Sequence, residues 1–261
     1  AKQLLQLEEA DVVIAGGTES MSQSPIIRHR KSGEEVLTMM SEGLVDAFNG
    51  ESMGLIGETI AEQFEISREE QDRFAQRSQE KALAARTAGA FEKEIVPFSD
   101  LAEDETIRAN SSLEKLSSLR TAFSENGSVT AGNSSPVNDG ASALILANDD
   151  YAEAKELPVL AKLLASEEVG IDPEIMGVSP IKAIRQLLDR TDLDIEDIDL
   201  FEINEAFAAS SVAVNQELNI PEEKVNIYGG AIALGHAIGS SGARVLTTLA
   251  YALQRENKRY G

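Results

Sequence analysis

The spacing of apolar and polar positions divides the chain into stretches of helical period, short β-prone runs and a long irregular middle. The opening AKQLLQLEEA has helical spacing without a start signal and leads into DVVIAGG at 11–17, a β-rich run closed by paired glycines. From about 18 to 137 the pattern is irregular, broken by one strong helix predicted over 68–88. Ser67 and Glu70 make its capping box, and Gly89 supplies its stop. Turn formers crowd GSVTAGNSSPVNDG at 127–140, ahead of SALILA, a continuous apolar run of the kind buried on both faces of a sheet. That order predicts a ligand loop feeding a core strand. A second α/β region opens near Pro158, where PVLAKLLA reads as a strand. SPIKAIRQLLDR follows as a helix with Pro180 at its first position and Ile181, Ile184 and Leu188 on one face.

Two further apolar segments, LFEI at 200–203 and VNIY at 225–228, are each followed by helical periodicity, so this region reads as a βαβ unit. A polar residue stands just beyond each: Asn204 in NEAFAA, and His236 among the glycines of GGAIALGHAIGSSG. Neighbouring parallel strands run about 5 Å apart, and ligands gather off their carboxyl ends. The two side chains are therefore expected in one cleft. Taken alone, Asn204 is an N-cap for a helix beginning at Glu205, and His236 is a structural loop histidine. The last helix is expected over 242–255, capped by Ser240 or Ser241, with Leu246, Leu249 and Leu253 on its apolar face.

Composition narrows the chemistry. At 261 residues and 42% hydrophobic content the chain can build a sizeable core. Asp and Glu number 45 against 23 Lys and Arg, a formal net charge of -22, which disfavours nucleic acid and acidic membrane surfaces as partners. No apolar run approaches the length of a membrane span, and no signal peptide is evident, so a cytoplasmic or organelle-matrix location is expected. The missing helix start at Ala1 suggests a fragment. There is no cysteine, hence no thiol nucleophile, disulfide or thiolate metal site within these residues. The two histidines, His29 and His236, are far apart, and no metal site is predicted. His29 lies in the basic cluster RHRK, a solvated tip or an inter-subunit contact. Ser240 and Ser241 lack the elbow of a serine hydrolase, and the GSSG loop is assigned to packing of the last helix.

Together and in order, AGGTESMSQSP, EEQDRFAQRSQEKA, GSVTAGNSSPVNDGASAL, NEAFAA and GGAIALGHAIGSSGAR resemble the thiolases of the acetyl-CoA acetyltransferase type. The resemblance implies an α/β fold of duplicated βαβ halves layered α-β-α-β-α, with an inserted loop domain, incomplete here at both termini. The partial N-terminal half would cover 1–150, including a loop domain at about 18–137. The partial C-terminal half would cover 151–261, its last strand missing. It also implies a homodimer or homotetramer that condenses two acetyl-CoA to acetoacetyl-CoA, or runs the reverse thiolysis, through an acyl-cysteine. No cofactor is implied beyond the coenzyme A thioester substrate.

By the same resemblance His236 is the base that takes the thiol proton. With Asn204, acting through a bound water, it also forms the hole for the enolate oxygen. Arg108 is placed near the nucleotide, Ser135 with Ala131 and Phe123 along the pantetheine arm, and Met53, Met176, Ala206 and Phe207 around the thioester. The family's nucleophilic cysteine would lie upstream of Ala1 and its Cys-x-Gly motif just beyond Gly261. Ala237 replaces the usual proline after the histidine, Ser52 stands where many relatives carry a histidine, and Pro136 where many carry a glycine. Two other readings stand beside the acyltransferase. One is a shortened relative that only binds acyl-CoA or assembles with partners. The other is a ketoacyl synthase, against which NEAFAA and GGAIALGHAIG weigh.

Overall fold

The computed structural model describes residues 1–261. A short helix α1 (Lys2–Gln6) leads into strand β1 (Val12–Ser20), followed by a small antiparallel hairpin, β2 (Ile26–Arg28) on β3 (Glu35–Leu37), whose turn carries the RHRK cluster on the surface. Next come a π-helical turn at Met39–Gly43, helices α2 (Met53–Gln63) and α3 (Arg68–Thr87), and the short α4 (Leu113–Ser117). Strand β4 (Asp139–Ala147) runs antiparallel to β1 and is followed by α5 (Asp149–Ala154). The remainder is a 3-10 stretch at Pro173–Val178, then α6 (Ser179–Thr191), α7 (Ala208–Leu218), α8 (Ala231–Leu234) and α9 (Ile238–Arg255).

Helix α3 is the internal post of the molecule. Ser67 and Glu70 complete the expected capping box, and Gly89 follows the helix with φ +66°. Its buried face is largely small and polar, and those polar groups reach outward to fix loops. Asn133 donates to Asp72 at 3.0 Å, Gln71 donates to Ser128 Oγ at 2.9 Å, and Gln79 donates to the Ile232 carbonyl at 3.1 Å. The main apolar core lies beside this post, where Ile56 and Ile60 of α2, Val178, Ile181, Phe201, Val214, Leu218 and Val225 pack together.

The β1–β4 ribbon rests one face on α9. A Cβ on Gly17 would run into the Gly239 carbonyl oxygen, so only glycine allows the helix this close, and Ser142 donates to the Ser240 carbonyl at 2.7 Å. On the opposite face Ile14 and Ile145, directly paired in register, are 74% and 75% exposed. Within these residues SALILA is thus covered by α9 on one face, with Ser142 as the polar member of the run. The paired glycines do not close β1 either; the strand continues through them to Ser20.

Several other expectations change. PVLAKLLA forms no strand: nothing runs alongside it to form a ladder, and Val159 and Leu164 are 60% and 55% exposed. LFEI and VNIY do lie parallel, but they share a single bridge, Phe201 to Val225. The irregular middle contains α2, whose starting Ser52 gives no side-chain cap and so left no signature. Helix α7 begins at Ala208, so Asn204 is not its cap. Helix α9 begins at Ile238, which puts Ser240 and Ser241 inside its first turn instead of at its cap. Pro180 is the second residue of α6, and Leu246 of α9 is 37% exposed.

Candidate active site

Phe201 donates its N–H to the Lys224 carbonyl at 2.8 Å and accepts from Asn226 N–H at 2.8 Å, which aligns the two parallel segments. The next rung comes from a side chain. Asn226, at φ +42°, turns away from the ladder, and its carboxamide accepts from Ile203 N–H and donates to the Ile203 carbonyl, both at 2.8 Å. Asn226 also donates to Glu205 at 2.8 Å. Glu205, 1% exposed, accepts in addition from Ser78 at 2.6 Å and Ile232 N–H at 3.1 Å, tying this chain segment to α3 and α8. Burial raises its pKa against those hydrogen bonds. These contacts hold Asn204 rigidly in place at the edge of the core.

His236 reaches the same point from the other segment. Gly235 before it has φ +98°, and a Cβ there would lie 2.5 Å from the Asn138 carboxamide carbon. That backbone suits glycine alone. Asn138 accepts from His236 N–H at 3.3 Å, and a parallel bridge to Val137 fixes the backbone. Asn204 Nδ2 lies 3.4 Å from His236 Nε2, so the two predicted side chains do meet.

The proton arrangement follows from the partners. Ser241 Oγ donates to the Ala237 carbonyl at 3.0 Å, leaving its lone pairs for His236 Nδ1 at 2.6 Å. Nδ1 therefore carries the hydrogen, and Nε2 faces Asn204 with a free lone pair. Burial, with help from the Arg244 charge, lowers the imidazole pKa below the ordinary histidine range. The result is a neutral ring with its basic nitrogen toward a polar partner. Asn204 Oδ1 is itself buried with no protein partner.

The expected lining residues divide into two groups. Ser135 N–H and Oγ both donate to the Ala206 carbonyl, at 2.9 and 3.1 Å, and Ala208 N–H donates to the Asn133 carbonyl at 2.9 Å. The loop holding Ala131 and Ser135 thus runs along Ala206 and Phe207. Phe123 packs edge-on against Phe207 with ring centroids 6.3 Å apart, and both rings stand over α2, which Met53 begins. Met176, on the 3-10 stretch, is 47% exposed. Arg108 is exposed; its backbone is anchored by Gln79 at 2.7 Å while its guanidinium makes no hydrogen bond or ion pair within the chain. No group of three or more His, Cys, Asp or Glu is placed to hold a metal ion, and no helix is long and apolar enough to cross a membrane.

The family model "Thiolase, N-terminal domain" matches residues 1–150, and "Thiolase, C-terminal domain" matches 157–261. The chain belongs to the thiolase family. It is 47% identical over 272 aligned positions to a "Probable acetyl-CoA acyltransferase" of Staphylococcus aureus, covering 98% of this thiolase chain and 69% of that protein. A Staphylococcus epidermidis protein of the same name is 46% identical, with 97% and 68% covered. The fold is that of solved thiolases. The Bacillus anthracis acetyl-CoA acetyltransferase superposes with a TM-score of 0.93 at 42% identity, and human mitochondrial 3-ketoacyl-CoA thiolase in complex with CoA with 0.94 at 39%; each comparison covers 98% of this chain and 68% of the other.

Sequence reasoning passed over the supports of this thiolase site. In the sequence Glu205 reads only as the start of a helix, and Asn226 and Asn138 carry no local signal of their roles. Ser241 reads as a cap, and its position five residues after His236 is the available signal. Glu202 of LFEI and Arg244, the last residue of GGAIALGHAIGSSGAR, carry no local signal of a role.

Proposed function

We propose that residues 1–261 supply the base, the enolate-oxygen donor and much of the coenzyme A path of an acetyl-CoA acetyltransferase. The reaction is condensation of two acetyl-CoA to acetoacetyl-CoA plus CoA, or the reverse thiolysis. The observation that carries this reading is the Asn204–His236 contact, with Nδ1 tied to Ser241 and Nε2 free. Nε2 takes the proton of the attacking thiol, and the imidazolium that forms then faces the developing negative charge. Asn204, through a water, donates to the enolate oxygen. An acyl-cysteine requires thiols from outside these 261 residues, since they contain no cysteine. Ser135, Ala131 and Phe123 line the pantetheine arm, Met53, Met176, Ala206 and Phe207 surround the thioester, and the unpaired Arg108 guanidinium meets the nucleotide. The substrate thioester is the only coenzyme used, and the protein works as a cytoplasmic homo-oligomer.

The test is thiolysis of acetoacetyl-CoA by the protein carrying this chain together with its thiols. His236→Ala should lower kcat by about 10²–10⁴-fold, the usual contribution of a positioned base, with the circular-dichroism spectrum unchanged. Turnover at the unsubstituted rate removes His236 from the mechanism. Acetyl-CoA binding with no turnover by that thiol-bearing protein favours the binding-only reading.

A further inference from the structure

The two rings assigned to the coenzyme A path, Phe123 and Phe207, both rest on α2, and α2 meets each of them with a glycine. Gly54 and Gly57 stand three positions apart, on one face of the helix. A Cβ on Gly54 would lie 2.3 Å from Cγ, Cδ1 and Cδ2 of Phe123, and one on Gly57 would lie 3.2 Å from Cγ of Phe207. The Phe123 ring therefore lies directly on bare helix backbone, with the Phe207 ring edge-on beside it. Phe123 is still 39% exposed, so the ring is open on the side away from the helix. The residue after Gly57 fixes the backbone of the same assembly. Glu58 accepts from Ser128 N–H at 2.7 Å, Val129 N–H at 3.0 Å and Ser128 Oγ at 3.1 Å, and Gln71 of α3 donates to that same hydroxyl at 2.9 Å. The Val129 carbonyl in turn accepts from Ala122 N–H at 2.9 Å, and Thr121 bridges to Thr130. The segment carrying Phe123 thus hangs from Glu58.

Glycine is a poor helix former, and two within the first five residues weaken α2 unless the space they leave is used. Here two aromatic rings use it. Carbon atoms pack best about 3.5–4.0 Å apart, so a methyl group at Gly54 would raise the Phe123 ring by about 1 Å or more. With its backbone tied to Glu58, the ring can yield only outward, on its open side. We propose that Gly54, with Gly57 beside it, is a positioning residue that keeps the pantetheine path open: bare backbone lets the Phe123 ring lie flat on α2, and a side chain there lifts the ring into the space of the arm. The proposal deepens the acetyltransferase reading above and rests on it for the identity of the arm. Gly54 touches no substrate and acts through Phe123.

The test is binding of coenzyme A to the thiol-bearing protein by calorimetry, followed by the kinetics of acetoacetyl-CoA thiolysis. Gly54→Ala should weaken CoA binding about tenfold and raise KM for acetoacetyl-CoA in step, with kcat within about twofold. In a Phe123→Ala background no ring is left to lift, so adding Gly54→Ala should change CoA affinity by less than about twofold. A role in helix packing alone would lower the urea midpoint without this split between KM and kcat and without dependence on Phe123. If Gly54→Ala does not fold, Gly57→Ala, the milder intrusion, is read in the same way against Phe207→Ala. A folded variant that binds CoA as tightly as the unsubstituted protein overturns the proposal, as does the same loss of affinity with and without the ring. Undiminished binding in Gly54→Ala would leave the acetyltransferase reading intact, whereas no binding of CoA by the unsubstituted protein would reject that reading and the proposal with it.

Discussion

Ala237 sits between His236 and the helix that follows it, with φ -70° and ψ 99°, and its N–H donates to nothing in the chain. That φ lies inside the range a proline ring imposes. Ala237→Pro should therefore stabilise the folded state by about 0.4–1 kcal/mol through the unfolded chain. Urea denaturation checks this, and a lowered midpoint counts against it. At this scale the sequence was informative about identity and poor about support. His236 and Asn204 stood out because one imidazole and one carboxamide followed β-prone runs. Glu205, Asn226 and Ser241, which hold them, are ordinary residue types whose partners lie far along the chain, such as Ser78 for Glu205.

Among the elements, α3 was legible to within a residue because its start signal is local: a serine oxygen and a glutamate three positions on satisfy the helix's own N–H groups. The β1–β4 ribbon was legible as strands but not as a half-covered pair, because its exposure depends on α9 covering one face only. The tightest point of that contact is Gly17 under Gly239. Gly17→Ala should cost about 1–3 kcal/mol, the usual penalty of overpacking, and displace the helix start that carries Ser241 under His236. Gly170→Ala, at a position where a Cβ meets nothing, should stay within about 0.5 kcal/mol. Equal denaturation midpoints for the two variants would mean that the sheet and helix are not tightly apposed.

The whole molecule carries a net charge of -22 and buries several of its acids. Burial pushes Glu94 up to about 7 and Glu202 to about 8. The folded protein therefore retains protons that ordinary carboxylates, near 4.5, have released in the unfolded chain. This contribution to stability is full below about pH 4.5 and is lost as pH rises through 7 and 8. Glu70, hydrogen-bonded to Ser67, has a lowered pKa and acts in the opposite sense, losing its contribution only as pH falls through its range. His236, also lowered, disfavours folding only below its unfolded pKa of about 6.5. The melting temperature should accordingly fall between pH 6.5 and 8.5, and Glu202→Gln should flatten that slope; a rise across the interval would contradict it. The sequence by itself determined the family, the meeting of Asn204 with His236 and the elements with local signals, because motif order, capping and periodicity are written in neighbouring residues. Tertiary structure decided which nitrogen of His236 is free, where α7 and α9 begin, and which acids are enclosed. Those outcomes depend on burial and on partners tens of residues apart, which no local pattern encodes.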